Sequence, residues 1–116
     1  MAPEDLFRNA LCLFARENLT EWVASLSDEE LRWRITSGIA RARSHGFQWQ
    51  HSIATFVSLM LRFAPNFDQY PPIRAVLGEA AADAEGRADQ LLTEVSAEQW
   101  QEAQNRYDPG AWYEFP

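Results

Sequence analysis

The side chains able to do acid–base or nucleophilic work are few and poorly grouped. Two histidines, His45 and His51, and one cysteine, Cys12, are spaced unlike any usual zinc site. Ser44 adjoins His45, but adjacency does not aim an imidazole at a hydroxyl, and no nucleophile elbow surrounds the pair. The five glycines are scattered, so no glycine-rich phosphate loop is present. Asp83, Glu85 and Asp89 lie close together, yet a calcium loop needs alternating oxygen donors around a central glycine. A solvated acidic face is expected there instead. His45 reads as a cation favoured by a helix end, and His51 as part of a polar strip. The chain is therefore expected not to be an enzyme, with no catalytic residue, no cofactor and no metal ligand.

Residues suited to gripping another protein are better represented. Arg32-Trp33-Arg34, with Arg41 and Arg43 beyond, fits three descriptions: a basic-aromatic nucleic-acid patch, an ordinary solvated helix with Trp33 under a loop, or a protein contact. Trp and Arg are enriched at interface hot spots. In the loop Asn66–Pro72, either Phe67 docks as an anchor while Asp68 caps the next turn, or the two touch a partner together with Tyr70. The tail aromatics Trp112, Tyr113 and Phe115 either fold back on the core or form an apolar patch that a partner covers. The candidate partner-binding set is thus Trp33, Phe67, Asp68, Tyr70, Trp112, Tyr113 and Phe115.

Charge narrows the partner. Residues 1–62 hold seven acids and seven arginines and are neutral, so the formal net charge of −7 is carried by residues 63–116. Phosphates demand the opposite sign, which argues against nucleic acid. All ten basic residues are Arg; a G+C-rich coding bias would produce this, and no function is drawn from it. The lone cysteine has no internal disulfide partner, the start lacks the pattern of a secretory signal, and no stretch approaches the roughly 20 apolar residues of a membrane span. A cytoplasmic protein bound to neither membrane nor nucleic acid is expected, its oligomeric state left open.

The elements that must position these residues are helices. At 116 residues, 47% of them hydrophobic, with five Trp and seven Phe, the chain has material for one core without staples. Leu6, Phe7, Ala10, Leu11 and Phe14 form an apolar stripe on a helix over about 3–17. Leu19, Trp22, Val23 and Leu26 would point about 130° away if that helix continued, so a break is placed near Asn18-Leu19-Thr20. Ser27-Asp28-Glu29-Glu30 reads as a capping box, opening a helix that Gly46 stops. Its inner face carries Leu31, Ile35, Ile39 and Ala42, Gly38 allows a neighbour close, and Trp33 and Ala40 lie opposite. The helix around 49–64 is apolar over roughly 200° of arc, with only His51, Thr55, Ser58 and Arg62 as a polar strip. It is expected to be central, wrapped on several sides. Pro65 ends it, and Pro72 starts a short helix with Ile73, Val76 and Leu77. A helix near 83–95 turns in Ala84, Ala88, Leu91, Leu92 and Val95. Ser96-Ala97-Glu98-Gln99 is a second capping box, whose helix carries Trp100 and Ala103 inward. The expected fold is all-α: a single domain over 1–116, a bundle of about five to six helices around the central one, ending in an aromatic tail over 108–116.

Part of this pattern resembles a known group. Gly38-Ile-Ala-Arg-Ala-Arg-Ser-His-Gly46, then Ile53-Ala-Thr-Phe-Val-Ser-Leu-Met-Leu-Arg-Phe-Ala-Pro-Asn-Phe-Asp68, then Pro71-Pro-Ile-Arg-Ala-Val-Leu77 is similar to small helical proteins encoded in bacterial type VI secretion effector clusters. The likeness covers residues 38–77, about a third of the chain, and is weaker over Leu26–Leu31. The chain departs from that pattern where an acid would open the central helix, having Gln50-His51, and where a Pro-Trp pair is common, having Pro72-Ile73. The resemblance implies an accessory role: a co-chaperone or adaptor component for an effector, with the effector or its adaptor chaperone as protein partner. A rival reading is an immunity protein covering a toxin's basic cleft through the acidic second half, with Glu94, Glu98 and Glu102 as contacts.

Overall fold

The breaks legible in the sequence divide the described residues into seven α-helices. The computed structural model describes residues 3–78 and 84–115. In order they are α1 (Pro3–Asn18), α2 (Thr20–Val23), α3 (Asp28–Ser44), α4 (Gln50–Arg62), α5 (Pro71–Leu77), α6 (Ala84–Thr93) and α7 (Ala97–Asn105), with 3-10 helices at Phe67–Gln69 and Pro109–Tyr113. No strand occurs among the described residues. The fold is all-α.

Local chemistry sets the ends. Ser27 accepts from the Glu30 amide at 3.1 Å, but Glu30 does not complete the expected box; its carboxylate turns to Arg34 one turn on, at 3.3 Å. The box at Ser96 is complete, Ser96 accepting from the Gln99 amide at 3.1 Å and the Gln99 side chain accepting from the Ser96 amide at 2.9 Å. Gly46 leaves α3 at φ 93°, a left-handed turn that a residue with a Cβ resists. Tyr70 precedes α5 with no side-chain cap, and Asp68 does not cap the turn that follows it, its oxygens being taken by Arg41 and His45.

Packing follows the apolar stripes. Leu31, Ile35, Ile39 and Ala42 on α3 are buried with Ile53, Phe56, Val57 and Met60 on α4. Gly38 makes the approach possible: a Cβ there would sit 3.1 Å from Val57 Cγ2 and 3.3 Å from Met60 Sδ. Phe56 meets Phe47 and Phe67 at ring-centroid distances of 5.7 and 4.8 Å, and Trp100 stacks on Phe63 at 4.7 Å. α6 supplies Ala88 and Leu91, followed by Val95.

Long polar side chains fasten helix ends that lack caps of their own. Trp49, at the start of α4, does not cap it with its side chain. Glu85 on α6 does so from a distance, its Oε1 accepting from the amides of Gln48 at 2.9 Å and Trp49 at 3.3 Å. Burial pushes the Glu85 carboxyl up, but hydrogen bonds from Ser52 and those two amides outweigh it and hold the group below the usual range. Glu85 is thus a structural cap, not part of a solvated acidic face; Asp89 is exposed, and Asp83 lies outside the described residues. Arg87 donates to the carbonyls of Leu77 and His45, tying the ends of α5 and α3 to α6.

Two expected apolar faces are less covered than their periodicity suggests. On α1, Leu11 and Ala15 are buried while Leu6, Ala10 and Phe14 are exposed. On α4, Trp49 stands at the entrance 66% exposed. The polar strip of α4 faces an open groove instead of a neighbour. Leu92, expected inward, lines that groove with residues of α1. Hydrophobic periodicity counts the apolar faces but does not say whether enough elements exist to cover all of them. No helix among the described residues is long and apolar enough to cross a membrane.

Candidate protein-binding surface

The face of α3 opposite Leu31, Ile35 and Ile39 is closed by the tail. Ser37 and Arg41, one turn apart on that face, are both buried. Ser37 Oγ donates to the Trp112 carbonyl at 2.8 Å, and Arg41 Nη1 donates to the Ala111 carbonyl at 3.4 Å and to Glu114 Oε2 at 2.9 Å. Pro109 and Asp108 start the 3-10 helix that delivers these groups, Asp108 Oδ1 accepting from the Gly110 amide at 2.9 Å. Asn66 clamps the approach, its side chain donating to the Arg106 carbonyl and accepting from the Asp108 amide, both at 3.0 Å.

Arg41 is the centre of the arrangement. It is 3% exposed, and its partner Asp68 is 5% exposed. The pair is bidentate: Nε to Oδ2 and Nη2 to Oδ1, each 2.8 Å. His45 Nε2 also meets Asp68 Oδ2, at 2.7 Å. Burial alone would raise the Asp68 carboxyl, but hydrogen bonds from His45 and Arg41 and the arginine's charge outweigh it, so the acid titrates below its ordinary range. The arginine's fork thus joins α3, the Phe67–Gln69 turn and the tail. This corrects two sequence expectations, the solvated reading of Arg41 and the capping role of Asp68, and it gives His45 a carboxylate partner beyond any effect of the helix end.

Above this buried network the aromatic side chains form an ordered patch. Trp112 is buried, with its indole N–H donating to the Tyr107 hydroxyl at 2.8 Å and the Arg34 guanidinium 5.0 Å from its ring centroid. Tyr113 packs on Trp33 at 4.8 Å between centroids and remains 69% exposed. Phe115 lies half-buried with Arg41 5.4 Å from its ring.

The seven candidate residues therefore divide. Trp33, Trp112, Tyr113 and Phe115 come together on α3, and Asp68 joins them through Arg41. Phe67 faces the other way, fully buried between Phe56 and Trp100. Tyr70 stands apart, half-buried beneath the Arg106 guanidinium at 4.9 Å. Phe67, Asp68 and Trp112 spend their surfaces inside the chain; Tyr113, with the accessible parts of Trp33 and Phe115, offers surface outward. Ser37 and Glu114 complete the site without having been singled out for it, and Arg34 and Arg41, grouped with Trp33 as one possible contact, were not expected to be tied to Trp112, Asp68 and the tail. The available signal was that Arg41 sits within Ser37–Ala42, where every other side chain is small or apolar, an unusual setting for a solvated charge.

Among the described residues no group of three or more His, Cys, Asp or Glu could hold a metal ion. The arrangement can present a rigid aromatic surface flanked by arginines. Comparison of the chain with protein-family models, curated proteins and solved structures finds no match.

Proposed function

We propose that this chain is a non-catalytic protein-binding accessory factor, a co-chaperone or adaptor component for a type VI secretion effector, and that it meets its partner through the Trp33–Tyr113 patch. The observation that carries the binding half of this reading is Tyr113, a large aromatic exposed on a backbone that is itself pinned by Ser37, Arg41 and Glu114. A pre-ordered Tyr beside Trp and Arg is the composition of an interface hot spot, and little ordering entropy remains to be lost on binding. The resemblance over residues 38–77 supports the secretion context. The test is co-purification of the full chain with the effector or adaptor encoded beside it. Retention that falls at least tenfold in Tyr113→Ala (about 1.4 kcal/mol), with an unchanged unfolding midpoint, supports the reading; failure of the unaltered chain to retain either protein rejects it.

One observation favours the immunity reading as the alternative. Glu94 and Glu98 are exposed on either side of the Ser96 cap and form no ion pair among the described residues, whereas Glu102 is paired with Arg106 at 3.3 Å. Reversing Glu94 and Glu98 to Lys should weaken neutralisation of the neighbouring toxin, and unchanged protection rejects this alternative.

A further inference from the structure

α1 buries one side and leaves the other unusually apolar. At 100° per residue, Leu6, Ala10, Leu13, Phe14 and Glu17 fall within about 100° of arc. All five are exposed, Leu13 at 60%. Two turns of this ridge are apolar, and the next carries a carboxylate. Beside it lies the groove between α1, α4 and α6, about 580 Å³, lined by Leu11, Phe14, Leu19, Ala54, Leu59 and Leu92 among others. Along the α4 side run His51, Thr55, Ser58 and Arg62. Thr55 turns its hydroxyl to the His51 carbonyl at 3.0 Å, so it leaves little polarity for the groove.

The charges at the end of this surface lack ion-pair partners among the described residues. Arg62 rests over the rings of Trp22 and Phe63, 5.1 and 4.9 Å from their centroids. Among the ion pairs of the described residues, none includes Arg62 or Glu17.

A ridge and a furrow side by side on one surface are self-complementary, because a twofold axis sets each copy's ridge in the other's furrow. The lengths agree. Leu6 to Glu17 and His51 to Arg62 are equal steps along their helices, about 16 Å each, so a ridge seated with Leu6 towards His51 brings Glu17 to Arg62. The overall charge also agrees: apart from Leu92, ridge and groove come from residues 1–62, the half of the chain with no net charge. Two copies can meet there through the half that carries none of the −7.

We infer that a second copy of this chain occupies the groove, giving a twofold dimer through α1 with two reciprocal Glu17–Arg62 ion pairs. A helix about 24 Å long in a contact about 20 Å wide buries roughly 500 Å² per copy, at the small end for specific interfaces, so the dimer is weak and reversible.

The test is sedimentation equilibrium of the full chain from about 1 to about 500 µM, the range that brackets a small reversible interface. Monomer mass at the low end and dimer mass at the high end are expected. Phe14→Glu, at an exposed position, should keep the unfolding midpoint and raise the dissociation constant at least tenfold. Arg62→Glu and Glu17→Arg should each weaken the dimer, and the two together should restore it. A chain that stays monomeric throughout overturns the proposal, whatever other helix the groove accepts. So does a dimer indifferent to Phe14→Glu or to the charge exchange.

Discussion

Replacing Asp68 by alanine removes the carboxylate that faces Arg41, and the consequence can be worked out from the geometry. Arg41, 3% exposed in the native fold, loses two hydrogen bonds of 2.8 Å. Breaking a buried ion pair from one side costs about 3–5 kcal/mol; Arg41 keeps Glu114 at 2.9 Å, on a carboxylate that is itself 43% exposed, so the loss is expected towards the lower end of that range. His45 loses the same partner but is more accessible and can turn to solvent, adding little. For 116 residues the unfolding entropy is about 0.24 kcal/mol/K, which converts that cost to a fall of roughly 12–20 °C in Tm. The assay is thermal and urea unfolding followed by circular dichroism and tryptophan fluorescence. The double variant Arg41→Met with Asp68→Leu is the discriminating control. It removes both charges, so it should cost less than Asp68→Ala alone even though it also releases Glu114 and Ala111 from α3. A loss below about 1 kcal/mol in Asp68→Ala, or a double variant less stable than the single, would refute the view that the carboxylate compensates a desolvated arginine.

Other expected outcomes follow from the same contacts. Gly38→Val places methyl groups against Val57 and Met60, where even a Cβ is tight, and should cost about 1–3 kcal/mol in urea unfolding by overpacking the α3–α4 contact. Glu85→Ala strips α4 of the side-chain cap that α6 supplies and should lower stability by about 1 kcal/mol, read from the urea midpoint and from faster amide exchange at Gln48 and Trp49. Acid should destabilise the chain through Asp68. Its folded carboxyl titrates below the unfolded value of about 3.9, so its contribution is complete above that pH and is lost as pH falls through the lower folded value. Asp68→Asn should flatten that part of the stability–pH curve, and an unaltered slope would contradict the assignment.

How much of this was readable in advance depended on the range of the interaction concerned. Helix α3 was legible end to end, since Ser27, the Leu31–Ile35–Ile39 stripe and Gly46 act within a few residues of where they stand. The close approach at Gly38 was legible too, because a missing Cβ has one obvious use on a buried face. The second buried face of α3 was not. Arg41 meets Asp68 and Glu114 from 27 and 73 positions away, and nothing in the periodicity of one segment encodes the side chain that another will bring. The cap on α4 was missed for the same reason: the acid absent from Gln50-His51 is supplied by Glu85, on a helix packed alongside.

What the sequence determined by itself was the set of helices and the residues able to bury against something, because both depend on backbone propensity, capping and spacing within a turn or two. Only the tertiary structure decided which apolar faces would be covered. Among the described residues, seven helices enclose one core but leave the outer side of α1 and the strip of α4 from His51 to Arg62 uncovered, and the tail folds over α3 instead of α1. Covering a face takes a second element at the right distance and angle. That choice is made when the whole chain closes, and it left Tyr113 outward and Trp112 within.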